Sequence, residues 1–330
     1  MTIAITQYAP GEGLKEFIQV HHEVYRGDPS WVAPLAMEIK ERLSPKKNPF
    51  FQHAEAALFV ARTDGRLAGR ITAQVDQEHL KTHQDETGFF GFFDTSNDQE
   101  DATAVLDAAA AWLRERGMKR MRGPYSLSIN EEIGLLVDGF DQPPVMMMPH
   151  ALPYQGLLAE GAGLQKEKDV FSWRYDVHET PERAKKAWRT MQELPEVSFR
   201  SLNKSKLKQE VPKLLEIFND AWSHNWGFVP STDAEADKMA KDLALVLDPE
   251  LSFFAEIDGR PVAMCVCLPN LNEVIRDFNG KLTPSTVAKL LWRLKIKGPK
   301  SARLLLLGIR RELRGVKRYG GLSMALYAEI

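Results

Sequence analysis

At residues 57–75 the chain reads ALFVARTDGRLAGRITAQV, two apolar runs separated by Asp64-Gly65. An Asp-Gly pair between such runs is a strong short-range signal for a β-hairpin. A second stretch of the same kind, LSFFAEIDGRPVAMCVCL, occupies residues 251–268, about 190 residues later. This recurrence predicts two copies of one fold.

The elements predicted around each hairpin follow a similar order. Those around the first are a helix near 14–25, an aromatic strand at 88–94, a helix at about 99–116 that ends at Gly117, and a strand at 118–123. Those around the second are a helix near 207–222, a basic helix near 287–296, a strand at 302–309 and a helix at 321–330. Helices are predicted where apolar residues recur three and four apart. Both halves are therefore predicted to be α/β.

The length of 330 residues suggests about two domains. We predict one domain at residues 1–177, a charged helical connector at 178–196 and a second domain at 197–330. By comparison with the first copy, roughly a quarter to a third of the second is missing at its C-terminal end. The second domain is therefore expected to be incomplete, because the chain is truncated, because a partner supplies the rest by swapping, or because the second copy is degenerate.

Hydrophobic residues make up 44% and charged residues 27% of the chain, as in ordinary globular proteins. No apolar stretch is long enough to span a membrane, and residues 1–10 lack the features of a signal peptide. We therefore expect a cytoplasmic protein, soluble or peripheral on the inner membrane. Cys265 and Cys267 are expected in the core, and no metal-ligand spacing occurs among the eight His and two Cys.

Positive charge is concentrated near the C-terminal end. The net charge is −2, yet residues 280–330 hold 12 Lys or Arg against two acidic residues. Such a segment favours a polyanionic ligand or an anionic membrane surface, with a solvated basic face as the alternative. Residues 287–297 have the composition of an interfacial helix, or of an amphipathic helix packed on its own sheet. Few aromatic residues accompany the cations, so nucleic acid is not expected as a partner, and the oligomeric state stays open.

The order helix, hairpin, strand, Arg- and Gly-containing loop, helix resembles the GNAT acyltransferase fold. In that family the loop after the fourth strand binds the pyrophosphate of acyl-CoA at a helix N-terminus, where backbone N–H groups point at the ligand. The resemblance implies acyl-CoA as co-substrate and no tightly bound cofactor. The implied cofactor-binding residues are Ile309, Arg310, Arg314, Gly315, Lys317, Arg318, Gly320 and Gly321. The matching stretch of the first copy, residues 94–100, is acidic and is predicted to repel a pyrophosphate. Residues 154–175 resemble the final helix, Gly turn and strand pair of the family.

Three stretches carry a narrower resemblance: RGPYSLSINEEIGLLVDGF at 122–140, PPVMMMPH at 143–150 and WGFVP at 226–230. Together they resemble a bacterial group of tandem GNAT-like proteins that includes bacterial ceramide synthases, which join a long acyl chain to the amine of a sphingoid base. The fold class implied is α/β, with two tandem GNAT-like domains of mixed sheets flanked by helices. The function implied is N-acyl transfer from a long-chain acyl-CoA to a lipidic amine. Another amine acceptor, or a non-catalytic acyl-CoA- or lipid-binding protein, are the alternatives.

Acyl transfer to an amine needs a base for the amine proton and an acid for the leaving thiolate. Glu131 or Glu132 is the predicted base, and N-terminal capping of a helix is the alternative role for both. His150 suits proton transfer or a structural role. Tyr125 and Tyr154 could protonate the thiolate, as a tyrosine does in many GNAT enzymes, or could pack in the core. The candidate substrate-binding residues are Asn130, Met147, Asn225, Trp226 and Asn270.

Overall fold

The computed structural model describes residues 1–329, which form two compact units. The first unit comprises Met1–Val170 together with Leu271–Gly298. The second comprises Phe171–Asn270 together with the chain from Pro299 onward. Residues 271–298, which the sequence analysis assigned to the second domain, thus belong to the first unit, because their apolar side chains pack there.

The first unit contains seven strands and seven helices. Its strands are β1 (Ile3–Tyr8), β2 (Ala54–Thr63), β3 (Arg66–Asp76), β4 (Thr87–Thr95), β5 (Arg120–Arg122), β6 (Tyr125–Ser126) and β7 (Glu132–Ile133). Its helices are α1 (Leu14–Val24), α2 (Ala36–Arg42), α3 (Gln77–His83), α4 (Gln99–Glu115), α5 (Gln155–Gly161), α9 (Leu271–Ile275) and α10 (Pro284–Trp292). A π-helical turn, Arg293–Lys297, extends α10.

Five of these strands form one mixed sheet in the order β1-β2-β3-β4-β5. The predicted hairpin is confirmed as β2 and β3, and its turn residues Asp64 and Gly65 both have positive φ, at 48° and 80°. Glycine and aspartate tolerate that conformation, which matches the twist of a hairpin. Strand β5 is parallel to β4 and pairs with it only through Arg120–Arg122, so the far half of β4 has no sheet partner on that side.

Side chains alternate between the two faces of this sheet. Phe59 and Ile71 lie in a core with α4, whereas Leu58 and Val60 lie in a core with α1. This alternation follows from the two-residue period of a strand. The first unit is therefore a sheet with helices on both faces, as predicted.

A short hairpin of β6 and β7 lies beside the unpaired half of β4. The Gln74 amide of β3 donates hydrogen bonds to the carbonyls of Tyr125 (2.7 Å) and Leu127 (3.1 Å). Gly91 of β4 approaches the Tyr125 carbonyl so closely that a Cβ at this position would overlap it. The predicted helix start at Glu131 and Glu132 is therefore wrong, because these tertiary contacts hold the segment as a hairpin.

The second unit repeats the order of the first. Its elements are α6 (Glu182–Gln192), β8 (Val197–Ser201), α7 (Leu207–Trp222), α8 (Asp233–Val246), β9 (Ser252–Ile257), β10 (Arg260–Pro269), β11 (Ala302–Ile309) and α11 (Leu322–Glu329). The sheet order is β11-β10-β9-β8, all antiparallel, so β8–β11 correspond to β1–β4. Among the described residues this unit has no counterpart of β5.

The core of the second unit explains two sequence observations. Cys265 packs with Phe253 and Ala255, and both cysteines are buried thiols, which confirms their expected place in the core. The predicted connector helix is α6, whose Met191 packs in the same core beside Leu326 of α11.

The prediction of a strand pair after α5 is wrong, because residues 164–177 form no regular secondary structure. None of the helices within residues 1–329 is long and apolar enough to cross a membrane.

The contact between β4 and the β6–β7 hairpin can be tested with Gly91→Ala. The added Cβ would overlap the Tyr125 carbonyl, so we expect the free energy of unfolding to fall by about 2 kcal/mol or more. Gly156→Ala is the matched control, because that helical glycine has only one neighbouring atom, 4.0 Å from the Cβ position. Chemical denaturation measures both variants, and equal stability of the two would contradict the close approach.

Candidate active site

A buried hydrogen-bond network lies in the first unit beside α1, where β3 begins and the antiparallel β4 ends. The Arg70 guanidinium donates to the Asp94 carboxylate at 2.6 Å, and both side chains are almost fully buried. The Tyr25 hydroxyl lies within hydrogen-bond distance of Asp94 (2.8 Å), the His150 carbonyl (3.0 Å) and the Gln155 amide oxygen (3.1 Å). Burial alone would raise the pKa of Asp94, but Arg70 and the other neighbours hold it below its ordinary value. The carboxylate thus stays charged, and the network joins β3, β4, the end of α1 and the loop before α5.

His150, a predicted catalytic residue, lies at the edge of this network. Its Nε2 is 2.7 Å from the Asp28 carboxylate, and both side chains are largely buried. Trp31 stacks on Tyr25 at 5.5 Å, and His21 lies edge-on to both rings. Burial, helped by Arg70, lowers the pKa of His21 to about 3, so this histidine is neutral. The carboxylate of Asp28 orients His150, which is the arrangement of a general base with its orienting acid.

Glu131 and Glu132, the predicted bases, share one cationic partner. Arg42 of α2 lies 3.0 Å from the Glu131 carboxylate and 3.3 Å from that of Glu132, and it also donates to the Ser126 carbonyl. Burial alone would lower the pKa of Arg42, but the two carboxylates raise it. Arg42 therefore fastens the β6–β7 hairpin to α2. The general-base assignment stays a prediction, and the structure gives both carboxylates a second role.

Tyr125 and Tyr154 lie in different surroundings. Tyr125 is buried and stacks on Phe89 with ring centroids 4.9 Å apart, and burial raises its pKa well above the ordinary value. Tyr154 donates to the Thr95 carbonyl at 2.9 Å, and burial raises its pKa to about 12. Both phenols therefore keep their protons at neutral pH, as an acid for a thiolate must.

The predicted substrate-binding residues are dispersed. Asn130 lies in the turn before β7, where its N–H donates to the Ser128 hydroxyl. Met147 has a positive φ of 59° in the turn before His150. Asn270 hydrogen-bonds Ser301 and so joins the ends of the β10–β11 connection. Trp226 is partly exposed after α7. Their role in binding stays a prediction.

A cleft of about 320 Å³ opens in the second unit between the end of α7 and the end of β11. It is lined by Ala221, Trp222, Asn225, Leu307, Gly308, Ile309 and Arg314. Three of these residues, Asn225, Ile309 and Arg314, are sequence-predicted site residues. Arg314 donates to the Ala221 carbonyl at 2.6 Å, and the Trp222 ring lies where a side chain at Gly308 would be. The structure therefore brings predicted cofactor and substrate residues to one cleft.

Strand register relates this cleft to the buried network of the first unit. Arg70 is opposite Asp94 in the first sheet, and Met264 is opposite Gly308 in the second. Asp94 and Gly308 are each the last residue but one of their strands, β4 and β11. Tyr25 follows the last residue of α1, and Trp222 is the last residue of α7. In the first copy this position is filled by the ion pair between Arg70 and Asp94. In the second copy the same position is an open cleft. No signal in the sequence marked Trp222 or Gly308, because their contact depends on tertiary packing.

Most cations of the predicted pyrophosphate loop have protein partners. Arg310 lies 2.8 Å from Glu216, and Arg318 lies 2.6 Å from Glu196. Lys317 is exposed and contacts no acidic side chain among residues 1–329. Gly315 has a positive φ of 82°, and Gly320 and Gly321 lead into α11. The first-turn N–H groups of any helix lack intrahelical acceptors, so Lys317 and α11 offer complementary groups for a phosphate.

In the first copy, α4 corresponds to α11, but the N–H groups at its start are already bonded. The Asp98 carboxylate caps α4 by accepting from the N–H groups of Glu100 (2.8 Å) and Asp101 (3.2 Å). An acidic side chain therefore already occupies the N–H groups that an anion would need. This agrees with the predicted loss of the phosphate loop from the first copy.

Comparison with known proteins decides the family. The chain is 46% identical over 308 residues to the bacterial ceramide synthase of Caulobacter vibrioides, which covers 92% of this chain and 80% of that protein. It is 41% identical over 302 residues to protein YghO of Escherichia coli, covering 91% of this chain and 76% of that one. The chain belongs to the tandem GNAT-like N-acyltransferase family that includes bacterial ceramide synthase. No general protein-family model matches the chain.

The tandem fold of the family is also seen among solved structures. A tandem GNAT protein from the clavulanic acid biosynthesis pathway, solved without AcCoA, aligns with 99% of this chain and 84% of its own at a TM-score of 0.50. The two sequences are 10% identical, so the likeness concerns the fold alone. The predicted tandem GNAT-like fold is confirmed.

The two roles of Glu131 and Glu132 predict different outcomes for Glu131→Gln and Glu132→Gln. If one carboxylate is the general base, its variant should lose kcat by roughly 10²-fold per folded molecule. Arg42→Gln is the control, because it removes the shared partner and leaves both carboxylates. A lower unfolding midpoint in all three variants, with normal turnover per folded molecule, would contradict the base assignment.

Proposed function

We propose that the protein transfers a long-chain acyl group from acyl-CoA to the amino group of a lipid, with a sphingoid base as acceptor and a ceramide as product. The observation that carries this proposal is the 46% identity, over 308 residues, with a protein named bacterial ceramide synthase. The amine nitrogen forms a bond to the thioester carbonyl, and the tetrahedral intermediate expels the CoA thiolate. The amine proton goes to a base, and the thiolate takes a proton from an acid.

Acyl-CoA binding is assigned to the second unit. The cleft beside Gly308 is concave and partly apolar, as a site for an acyl-pantetheine arm requires. Lys317 and the start of α11 supply positive charge for the phosphates.

Two features support proton transfer by residues of the first unit. Asp28 holds His150 in one orientation, which a general base needs. Tyr154 stays protonated at neutral pH, since burial raises its pKa to about 12. The catalytic roles of these side chains remain part of the proposal.

The decisive experiment measures release of CoA thiol by the purified protein. We expect release only when a long-chain acyl-CoA and a sphingoid base are both present, with an N-acylated product of matching mass. Replacing the sphingoid base by other long-chain amines tests the acceptor class. Acyl-CoA binding by calorimetry without turnover for any amine would instead support a non-catalytic acyl-CoA-binding protein.

Lys317→Ala tests the phosphate assignment. Losing one charge-assisted contact should raise the KM for acyl-CoA by about tenfold and leave the KM for the amine unchanged. Lys241→Ala, which removes an exposed lysine of α8, is the matched control. Equal KM values for acyl-CoA in the two variants would contradict a phosphate site at Lys317.

A further inference from the structure

The connection between the third and fourth strands differs greatly between the two copies. In the first copy, ten residues (77–86) join β3 to β4. In the second copy, 32 residues (270–301) join β10 to β11, and they carry α9, α10 and the π-helical turn. Long insertions in an otherwise repeated fold commonly carry function. This insertion is the largest difference between the repeated parts of the two copies.

One face of the insertion is fastened to the first unit. Ile275 and Phe278 pack with Val32, and Leu290 of α10 packs against this cluster. Arg293 donates to the Val274 carbonyl at 2.6 Å and forms a two-point ion pair with Asp277. These contacts fix which side of α10 faces the protein.

The opposite face of α10 is apolar and exposed. Leu291, Trp292 and Ile296 are 56%, 50% and 74% exposed, and Val287 is 39% exposed. The pairs Val287/Leu291 and Trp292/Ile296 are each four residues apart, so they form adjacent rows on one side of a helix. A cluster of large exposed apolar side chains marks an interaction surface.

The segment that forms α10 and the π-helical turn carries only positive charges of its own. Residues 284–298 contain four Lys or Arg and no acidic residue. Lys289 (3.5 Å) and Arg293 are both paired with Asp277. Lys295 and Lys297 are exposed on either side of Ile296 and form no ion pair within residues 1–329. Of the four cations in residues 284–298, Lys289 and Arg293 therefore anchor the helix, and Lys295 and Lys297 extend from it without an ion pair among the described residues.

We propose that this face of α10 docks on an anionic lipid bilayer, with Leu291, Trp292 and Ile296 inserted and Lys295 and Lys297 at the headgroups. An exposed apolar row with tryptophan and flanking lysines matches the interfacial region in both polarity and charge. The anchored opposite face lets the helix lie flat without unfolding from its unit. Docking goes beyond the proposed N-acyl transfer and does not depend on it.

Co-sedimentation with phosphatidylglycerol–phosphatidylcholine vesicles tests the proposal. The wild type should bind at low salt and lose most binding at about 1 M salt, where the Debye length is about 3 Å. Lys295→Glu with Lys297→Glu should weaken binding at least about 20-fold, since each lysine near such a surface contributes about fivefold. Leu291→Ser, Trp292→Ser and Ile296→Ser combined should abolish insertion while keeping both lysines.

Matched controls change exposed lysines and an exposed apolar side chain outside α10. Lys206→Glu with Lys208→Glu reverses two exposed lysines at the same spacing, and Leu245→Ser removes a leucine that is 76% exposed. Both controls should bind vesicles like the wild type, and unfolding midpoints check that every variant is folded. Activity toward a water-soluble amine should be unchanged in the α10 variants, which separates this proposal from the catalytic one.

Two results would overturn the proposal. One is a wild type that ignores anionic vesicles at low salt. The other is a wild type that sediments as a dimer, becomes monomeric in the triple serine variant and binds vesicles no better than that variant. The second result would assign the apolar face to a second copy of the chain.

Discussion

The buried ion pair between Arg70 and Asp94 is the interaction on which the arrangement of the first unit depends. A buried carboxylate is tolerated only when its charge and its hydrogen-bond acceptors are satisfied. Arg70 satisfies one oxygen of Asp94, and the Tyr25 hydroxyl satisfies the other. The same hydroxyl approaches the His150 carbonyl and Gln155, so the loop before α5 must end against α1. Removing either charge would leave the other buried and unpaired, at a cost of about 3–5 kcal/mol.

The two copies differ in what occupies the end of the fourth strand, β4 in the first copy and β11 in the second. In the first copy an ion pair and a tyrosine close the end of the sheet, and Asp98 caps the following helix. In the second copy Gly308 carries no side chain, Trp222 packs over it, and a cleft remains. The closed copy is suited to hold loops in fixed positions, because its polar groups are already paired. The open copy keeps a concave surface and the exposed Lys317 available for a ligand.

The sequence allowed prediction of those elements whose signals are local. Both hairpins follow from Asp-Gly turns between apolar runs, and β11 and α7 begin and end at the predicted residues. The segment around Glu131 was predicted incorrectly, because Ser128 followed by Glu131 is also the pattern of a helix cap. Its hairpin is held by Gln74, more than 50 residues earlier, and by Arg42 of α2. Within the site, Asn225, Ile309 and Arg314 were found from motifs, whereas Trp222, Gly308 and Asp28 required the tertiary structure.

The insertion of residues 270–301 shows the same limit on a larger scale. Its composition indicated an amphipathic basic helix, but not the protein surface against which one face packs. That surface includes Val32, which precedes Leu290 by more than 250 residues. Because Asp277 pairs with Lys289 and Arg293, it offsets one of their two charges and holds both side chains, whereas Lys295 and Lys297 form no ion pair within residues 1–329. A count of charges along the chain therefore overstates the available charge, and the ion pairs of the folded protein decide which cations can meet a ligand.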